Sequence, residues 1–407
     1  MRRPTHRWTR LSAVAVALTT WLVGVLVGAW PRDAGAEDRV IVRGNYYREA
    51  STRVLQPEVS VSVDVPDERL SLGAAYMLDA ISSASIASGA AEVTGGDAVF
   101  TEVRHETTAF ASSKIRNWGF GGFFRYSTET DYISRSLGAN LSRDLLSRSV
   151  TLSLSYAYNF DRFFRIQNNT GARAPWCSGN VPIEECTDGG HGKGSNLLQV
   201  HYLSGGYTHA LHKTLLGMAT VEVAHARGPQ DNPYRGAQIP SATYETHPYL
   251  RTRVAPTIAA RWKIVPAKMV IEPRYRFTTD TWDIQTHAID MRLHFRVLTH
   301  LLLRLRYRFY TQNSAFFFRE AGDYLEPTGE CTRDAPENCA TADPKMGAWV
   351  SHTPGVQLTY EFDGIAAKVP ALRWLERGWI QATYNHVFQT NRFGYARLGS
   401  LALSFAF

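Results

Sequence analysis

The chain has 407 residues, of which 44% are hydrophobic and 20% charged, and a mean hydropathy of −0.24, which excludes a disordered protein and a bundle of membrane helices. The 19 Tyr and 19 Phe against 6 Met favour strands over helices. The formal charge of +7 falls to +3 without residues 1–36, which carry five arginines and one aspartate, so the composition predicts no nucleic-acid partner.

The first 36 residues have the composition of a signal peptide. Four arginines among the first ten residues precede an uncharged, mostly apolar stretch from Leu11 to Trp30, and Ala34-Gly35-Ala36 provides a small-x-small cleavage site. We therefore expect residues 1–36 to be removed and residues 37–407 to be exported. The apolar stretch is longer than the usual ~7–15 residues, so an uncleaved membrane anchor stays open as an alternative.

From residue 39 onward, apolar side chains recur at every second position. Val59, Val61 and Val63 alternate with Ser60 and Ser62, for example. Such alternation predicts strands with one apolar and one polar face, and faces of about ten residues that end in aromatics are typical of strands in contact with lipid. Sixteen segments show this pattern: 39–49, 54–65, 69–80, 101–113, 117–127, 132–143, 148–160, 197–209, 214–226, 247–262, 268–279, 283–296, 299–312, 349–362, 378–391 and 395–407.

The connections between these segments alternate between short turns, such as Pro66-Asp67-Glu68, and long loops. The long loops lie near 81–100, 161–196, 227–246 and 313–348. Bacterial barrels place short turns in the periplasm and long loops outside the cell. The sequence therefore predicts an all-β fold: a transmembrane antiparallel β-barrel of about 16 strands in the bacterial outer membrane, in contact with outer-membrane lipid. Only the 363–377 turn breaks the alternation, and it has the pattern of a short amphipathic helix.

The chain ends with apolar residues at alternate positions: Leu401, Leu403, Phe405 and Phe407. This pattern is similar to the signal by which outer-membrane barrels are recognised for assembly. We therefore expect the barrel-assembly machinery to be a partner of this strand.

The four cysteines fall in two polar, Gly-containing segments, and neither pair has the short spacing typical of zinc sites. Local bridges, Cys177 with Cys186 and Cys331 with Cys339, are the simplest of the three pairings that four cysteines allow. Disulfides indicate an oxidising compartment, and free cysteines in solvated loops are the alternative.

Several motifs are shared with a known group of proteins: VSVDVP at 61–66, YMLDAISSAS at 76–85, YSTETDYIS at 126–134, YRFTTDTW at 275–282 and RYRFYTQ at 306–312. Together they resemble a family of uncharacterised bacterial outer-membrane β-barrel proteins catalogued as a domain of unknown function. The resemblance implies a barrel fold and an outer-membrane location, and it implies no activity and no catalytic residues.

The positions that alternate with the lipid-facing residues carry an excess of positive charge. Ten arginines fall there on four consecutive strands: Arg251, Arg253, Arg261, Arg274, Arg276, Arg292, Arg296, Arg304, Arg306 and Arg308. Acids fall there on other strands: Glu58, Asp64, Asp79 and Glu222. Because charges on the lipid face cost ~2–4 kcal/mol at mid-depth, we place both sets in the lumen. There they either select anionic solutes or simply fill the lumen as ion pairs with water.

The sequence indicates no catalytic residues, no metal ligands and no cofactor. Histidines near predicted strand ends, including His105, His287 and His352, have no catalytic motif beside them, and His209-x-x-His212 is interpreted as a polar turn. The leading hypothesis is therefore a passive porin-like channel for small hydrophilic solutes, with anions favoured, rather than an enzyme. The alternatives are a closed surface barrel whose disulfide-bonded loops bind a partner and, third, an outer-membrane hydrolase.

Overall fold

The protein is described by a computed structural model that covers residues 38–50, 52–65, 69–84, 99–166, 172–178, 181, 183–189, 194–232, 237, 244–320, 324–325 and 327–407. The side chains of residues 81–84 and 99–102 are outside this description. The predicted leader, residues 1–36, lies outside the described residues.

Sixteen long strands form one antiparallel sheet. They are β1 Arg39–Arg48, β2 Thr52–Val65, β3 Leu70–Ala84, β4 Val99–Ile115, β5 Trp118–Thr128, β6 Tyr132–Leu145, β7 Val150–Ile166, β9 Leu197–His212, β10 Leu215–Arg227, β11 Leu250–Ile264, β12 Met269–Asp280, β13 Gln285–Leu298, β14 Leu301–Gln312, β15 Trp349–Glu361, β16 Trp379–Gln389 and β17 Tyr395–Ala406. A short strand, β8 Arg173–Pro175, pairs with the end of β7 within the loop that follows it.

The sheet closes into a barrel because its first and last strands pair with each other. The β1–β17 ladder runs from Arg39 opposite Ala406 to Arg48 opposite Arg397, and every other long strand pairs with its two neighbours in the chain. Closure leaves no unpaired sheet edge, which a chain surrounded by hydrocarbon requires. The predicted all-β antiparallel barrel of sixteen strands is therefore confirmed.

Three strands extend beyond their predicted ends on the side of the long loops, called here the loop end of the barrel. β3 continues to Ala84, β4 begins at Val99, and β7 continues to Ile166. The apolar alternation stops before these residues, but their backbone groups still pair with the neighbouring strand. Residues 81–84 and 99–100, expected in the 81–100 loop, therefore belong to strands, and residues 85–98 lie outside the described residues.

The outer face of the barrel is apolar and exposed. The side chains of Leu154 and Ile258 are 52% and 62% exposed, for example, and the residues beside them in sequence point to the other face. No helix among the described residues is long and apolar enough to cross a membrane.

The short connections occupy the opposite end of the barrel, called the turn end. The longest of them, between β15 and β16, contains a one-turn helix, α1 Asp363–Ala366, followed by a 3-10 helix, Pro370–Leu375. The predicted amphipathic helix is thus a 3-10 turn, which begins at a proline. The Trp374 ring is 61% exposed and stacks on Phe405 of β17 at a centroid distance of 5.6 Å.

Candidate functional site

The inner faces of β11 to β14 carry all ten of the predicted arginines, here called the basic wall. Strand alternation puts Ile258, Tyr275, Ile289 and Leu305 on the exposed outer face, and each arginine is an odd number of positions from these residues along its strand. The structure therefore brings the ten guanidinium groups onto one continuous sector of the lumen. Five carboxylates lie among them: Glu222, Glu272, Asp280, Asp290 and Glu361.

Asp290 and Glu272 sit at the centre of the wall, each 9% exposed or less. Asp290 accepts hydrogen bonds from Nε of Arg306 and Nε of Arg292, both at 2.9 Å. Arg292 also donates to Glu272 at 3.1 Å, and Glu272 lies 3.7 Å from Arg274. Because Arg292 and Arg306 are directly opposite on β13 and β14, their like charges repel unless a carboxylate bridges them. Asp290 provides that bridge.

Three further pairs fix arginines at the edges of the wall. Arg276 makes a bidentate pair with Glu222 across the intervening strand β11, with N–O distances of 2.7 and 2.9 Å. Arg251 donates through Nε to Asp280 at 2.8 Å, and Arg296 lies 3.0 Å from Glu361. The Arg276–Glu222 pair is bidentate, and such guanidinium–carboxylate pairs are the strongest and most directional of protein ion pairs, so Arg276 is held in position.

Two arginines of the wall have no carboxylate partner within 4 Å among the described residues. Arg304 donates to the neutral amide of Gln357 on β15, and Arg308 lies over the Tyr310 ring at 5.6 Å. Their charges are therefore not neutralised locally. With ten guanidinium groups and five carboxylates, the wall carries five positive charges in excess.

Strands β5 to β9, which are separated from the basic wall only by β10, present mostly small side chains on their inner face. These are Gly119, Gly121, Ser134, Ser136, Gly138, Asn140, Ser142, Thr151, Ser153, Ser155, Ala157, Asn159, Ser204, Gly206 and Thr208. Two aromatic rings lie over glycines at the border of this small-residue wall. A Cβ on Gly73 would meet the Phe110 ring at 2.2 Å, and one on Gly138 would meet the Phe123 ring at 2.4 Å. Sequence analysis missed this wall, although its glycines and serines alternate with aromatic residues along β5 and β7.

The four predicted lumen acids are all paired on their own sectors. Glu58 lies 3.6 Å from Arg43, Asp79 lies 2.6 Å from Arg104, and Asp64 accepts from Ser71. Glu222 lies beside the basic wall, because β10 lies only two strands from β12. Glu58, Asp64 and Asp79 lie on β2 and β3, which are among the strands opposite the basic wall in the closed ring.

The loops at the loop end pack together into a cap with its own apolar core. Trp282 and Phe317 are each 2% exposed and meet edge to face at 5.3 Å, and His247 contacts both rings at 5.4 Å. The connections after β10, β12 and β14 supply these three residues. The β7–β9 loop joins them through Trp176, which meets Tyr244 edge to face at 5.0 Å.

Backbone and side-chain hydrogen bonds fasten the β10–β11 loop to the β14–β15 loop. Thr246 and Ala340 exchange two backbone hydrogen bonds, at 2.8 and 3.0 Å. The fully buried Glu245 carboxylate accepts from the Thr341 hydroxyl and the Ala342 N–H, both at 2.8 Å. The inward-facing Gln312 amide donates to the carbonyls of Lys345 and Gly347, so the β14–β15 loop bends over the basic-wall side of the mouth.

Both predicted disulfides are present. Cys177 and Cys186 have Cα atoms 5.7 Å apart, and Cys331 and Cys339 have Cα atoms 4.6 Å apart. The second bridge is buried in the cap core beside Phe317. Tyr324 packs in the same loop, and burial raises the pKa of its hydroxyl above the ordinary value.

The histidines considered as catalytic candidates lie on the outer face, away from the lumen. Nδ1 of each histidine forms a hydrogen bond of 2.7 to 2.8 Å with a tyrosine hydroxyl: His105 with Tyr76, His287 with Tyr275 and His352 with Tyr307. His212 of the His209-x-x-His212 turn bonds the Thr214 hydroxyl. Among the described residues, no group of three or more His, Cys, Asp or Glu side chains has the arrangement of a metal site.

The predicted assembly signal occupies the outer face of β17. Leu401 is 51% exposed and Phe407 is 39% exposed, while Phe405 is covered by Trp374. The N–H of Phe407 donates to the carbonyl of Asp38, so the last residue is tied to the start of β1.

Comparisons with known proteins place the chain in a family and support its architecture. A family profile described as "Protein of unknown function (DUF3570)" matches residues 11–371, and no curated protein matches the chain. A bacterial polysaccharide outer membrane secretin superposes with a TM-score of 0.50 at 6% identity, over 92% of this chain and 100% of that one. At this identity the likeness shows a shared barrel fold alone.

Other solved outer-membrane barrels are more distant in shape. CdiB from Acinetobacter baumannii has a TM-score of 0.48 at 8% identity, covering 90% of this chain and 60% of that one. OprD from Pseudomonas aeruginosa has a TM-score of 0.44 at 7% identity, covering 92% and 95% of the two chains.

Proposed function

The chain belongs to the DUF3570 family, whose function is unknown, and on that premise we propose that it is a passive outer-membrane channel for small hydrophilic anions. The basic wall is the observation that carries the proposal. Five positive charges in excess, on side chains that face the interior of a sixteen-stranded barrel, attract anions and repel cations.

The pairing within the wall supports selection of anions rather than inert filling. Paired arginines such as Arg276 and Arg306 are held by carboxylates and stiffen the wall. Arg304 and Arg308 keep their charge, and each guanidinium has N–H donors left for a carboxylate or phosphate group of a passing solute. A guanidinium with no carboxylate partner can bind and release a passing anion without first breaking an ion pair within the protein.

The small-residue wall supplies the space that passage requires. Barrels of ~16–18 strands leave an aqueous interior when side chains and loops do not fill it. Serine, glycine and threonine on the inner face of β5 to β9 keep that part of the interior wide and able to form hydrogen bonds. The two walls together define an off-axis path with anion-attracting groups on one side.

One observation favours a second function, a closed surface barrel whose loops bind a partner. The cap has a buried core, a buried carboxylate at Glu245 and a disulfide at Cys331–Cys339. Loops around an open channel entrance would not need to be packed and cross-linked to this extent. In that case the arginine network serves structure, and the outer surface of the cap is the functional one.

Reconstitution of the refolded protein into planar lipid bilayers tests the proposal. A channel gives discrete conductance steps in 0.1 M KCl, and a tenfold KCl gradient gives a reversal potential with the sign of anion preference. Absence of conductance steps from protein that shows the heat-modifiable gel migration of a folded barrel would refute the channel and leave the surface-binding alternative. A cation-selective current would refute the role of the basic wall.

A further inference from the structure

Three arginines form a row on the outer, lipid-facing side of the barrel near its loop end. Arg48 of β1 is directly opposite Arg397 of β17 on one side and Arg53 of β2 on the other. Alternation puts them on the same face as the exposed Val42, Leu55 and Leu401. His386 of β16 is opposite Arg397 and continues the row. Strands lie about 4.8 Å apart, so the four side chains span about 14 Å.

The height of this outer arginine row follows from the length of the apolar face below it. On β2 the outward residues from Val65 to Leu55 are apolar, and Arg53 is the next one. Ten residue steps of about 3.3 Å, tilted by about 40°, rise about 25 Å, which is the height of the apolar band of such barrels. The row therefore begins where the hydrocarbon ends, at the level of the headgroups of the outer leaflet.

Among the described residues, no carboxylate neutralises the outer arginine row. None of the guanidinium groups of Arg48, Arg53 and Arg397 is within 4 Å of a carboxylate among the described residues, and all three residues are exposed. Like charges directly opposite on adjacent strands destabilise a sheet. By contrast, the inward pair Arg292 and Arg306, which has the same geometry, is bridged by Asp290.

We propose that the outer arginine row is a binding site for the phosphate groups of a phosphorylated glycolipid in the outer leaflet. A phosphate bridging adjacent guanidinium groups takes the place that Asp290 has inside the lumen, and planar guanidinium forks match phosphate oxygens in pairs. One aromatic ring, that of Tyr395, lies beside the row: Arg397 lies over it at 5.6 Å, and His386 stacks on it at 5.8 Å. A tyrosine ring suits the interface between acyl chains and headgroups.

The test is binding of purified lipid A to the refolded full chain in detergent micelles, measured by native mass spectrometry. The site variant is R48Q/R397Q. Its matched control is R135Q/R227Q, which removes two outward arginines near the loop end of β6 and β10, strands that are not neighbours. We expect binding of lipid A to weaken at least tenfold in the site variant and to stay within twofold of wild type in the control. Lipid A stripped of both phosphates should bind wild type at least tenfold more weakly.

The proposal would be overturned by equal binding of lipid A to wild type and R48Q/R397Q, by equal binding of the dephosphorylated lipid, or by an equal loss of binding in both double variants. Displacement of lipid A by inorganic phosphate at the lipid's own concentration would show a free-phosphate site instead of a glycolipid site. Heat-modifiable migration confirms that each variant is folded. If R48Q/R397Q does not fold, the single variant R53Q replaces it, and binding unchanged in R53Q counts against the proposal.

Discussion

Replacing Arg304 and Arg308 by glutamine should reduce the anion selectivity of the proposed channel without disturbing the fold of the barrel. These two arginines are the members of the basic wall that have no carboxylate partner among the described residues. Their substitution therefore leaves no buried acid unpaired, which is the usual cost of breaking such a network. Glutamine keeps a polar side chain on the inner face of β14.

The size of the effect follows from the dimensions of the barrel. Sixteen strands about 4.8 Å apart and tilted by about 40° give a backbone radius of about 16 Å, so guanidinium groups that reach inward by about 6 Å lie about 10 Å from the axis. A unit charge at about 10 Å in water contributes about 0.4 kcal/mol, and screening at 0.1 M salt lowers this to about 0.15 kcal/mol. Two charges then change the energies of an anion and of a cation by about 0.3 kcal/mol each, with opposite signs. The ratio of anion to cation permeability should fall about two- to threefold.

Reversal potentials across a tenfold KCl gradient measure this ratio directly. The comparison should be made at a mean salt concentration near 0.1 M and repeated near 1 M, where a Debye length of about 3 Å should reduce the difference to below about 20%. The matched control is E222Q/R276Q, which removes the ion pair between β10 and β12 and leaves the net charge unchanged. Unchanged selectivity in R304Q/R308Q at 0.1 M, or an equal change in the control, would refute the reasoning.

Three further outcomes are expected. Glu245→Ala removes a buried acceptor of two hydrogen bonds at 2.8 Å and should weaken the cap by ~2–4 kcal/mol. Limited proteolysis should then cleave loop 313–348 while the barrel stays folded, and unchanged cleavage would contradict this. Gly138→Ala places a Cβ 2.4 Å from the Phe123 ring and should destabilise the barrel by ~1–3 kcal/mol. The temperature of the heat-modifiable transition should fall, and the second substitution Phe123→Ala should restore it. Equal transition temperatures in G138A and wild type would show that the ring is free to move. Phe407→Ser should lower the fraction of heat-modifiable barrel in outer-membrane preparations, and a normal fraction would mean that the last residue is not part of the assembly signal.

The strands could be predicted from the sequence because lipid outside and water inside the barrel impose a two-residue alternation of apolar and polar side chains. Lipid on one side and water on the other dictate which residue types alternate, so β2 and β14 were predicted to within a few residues. The ends of β3 and β7 were not, since beyond the lipid the pairing no longer needs apolar residues. The same alternation put the ten arginines on the inner face.

The partners of those arginines could not be predicted. Arg276 and Glu222 are 54 positions apart in the chain and meet across an intervening strand, which depends on the register of three strands together. The cap could not be predicted either, because irregular loops have no period. The sequence does contain one sign of the cap, the aromatic run Phe316-Phe317-Phe318 in the β14–β15 loop. A fully solvated loop would not carry three consecutive phenylalanines.

The contact between Trp374 and Phe405 has a consequence for the order of events in biogenesis. Phe405 belongs to the predicted assembly signal on the last strand, and the Trp374 ring covers part of the outer surface of that strand in the folded barrel. One aromatic face cannot hold two partners at the same time. If the assembly machinery contacts Phe405 as the sequence predicts, the 3-10 turn at Pro370–Leu375 can cover that ring only after the strand has been released.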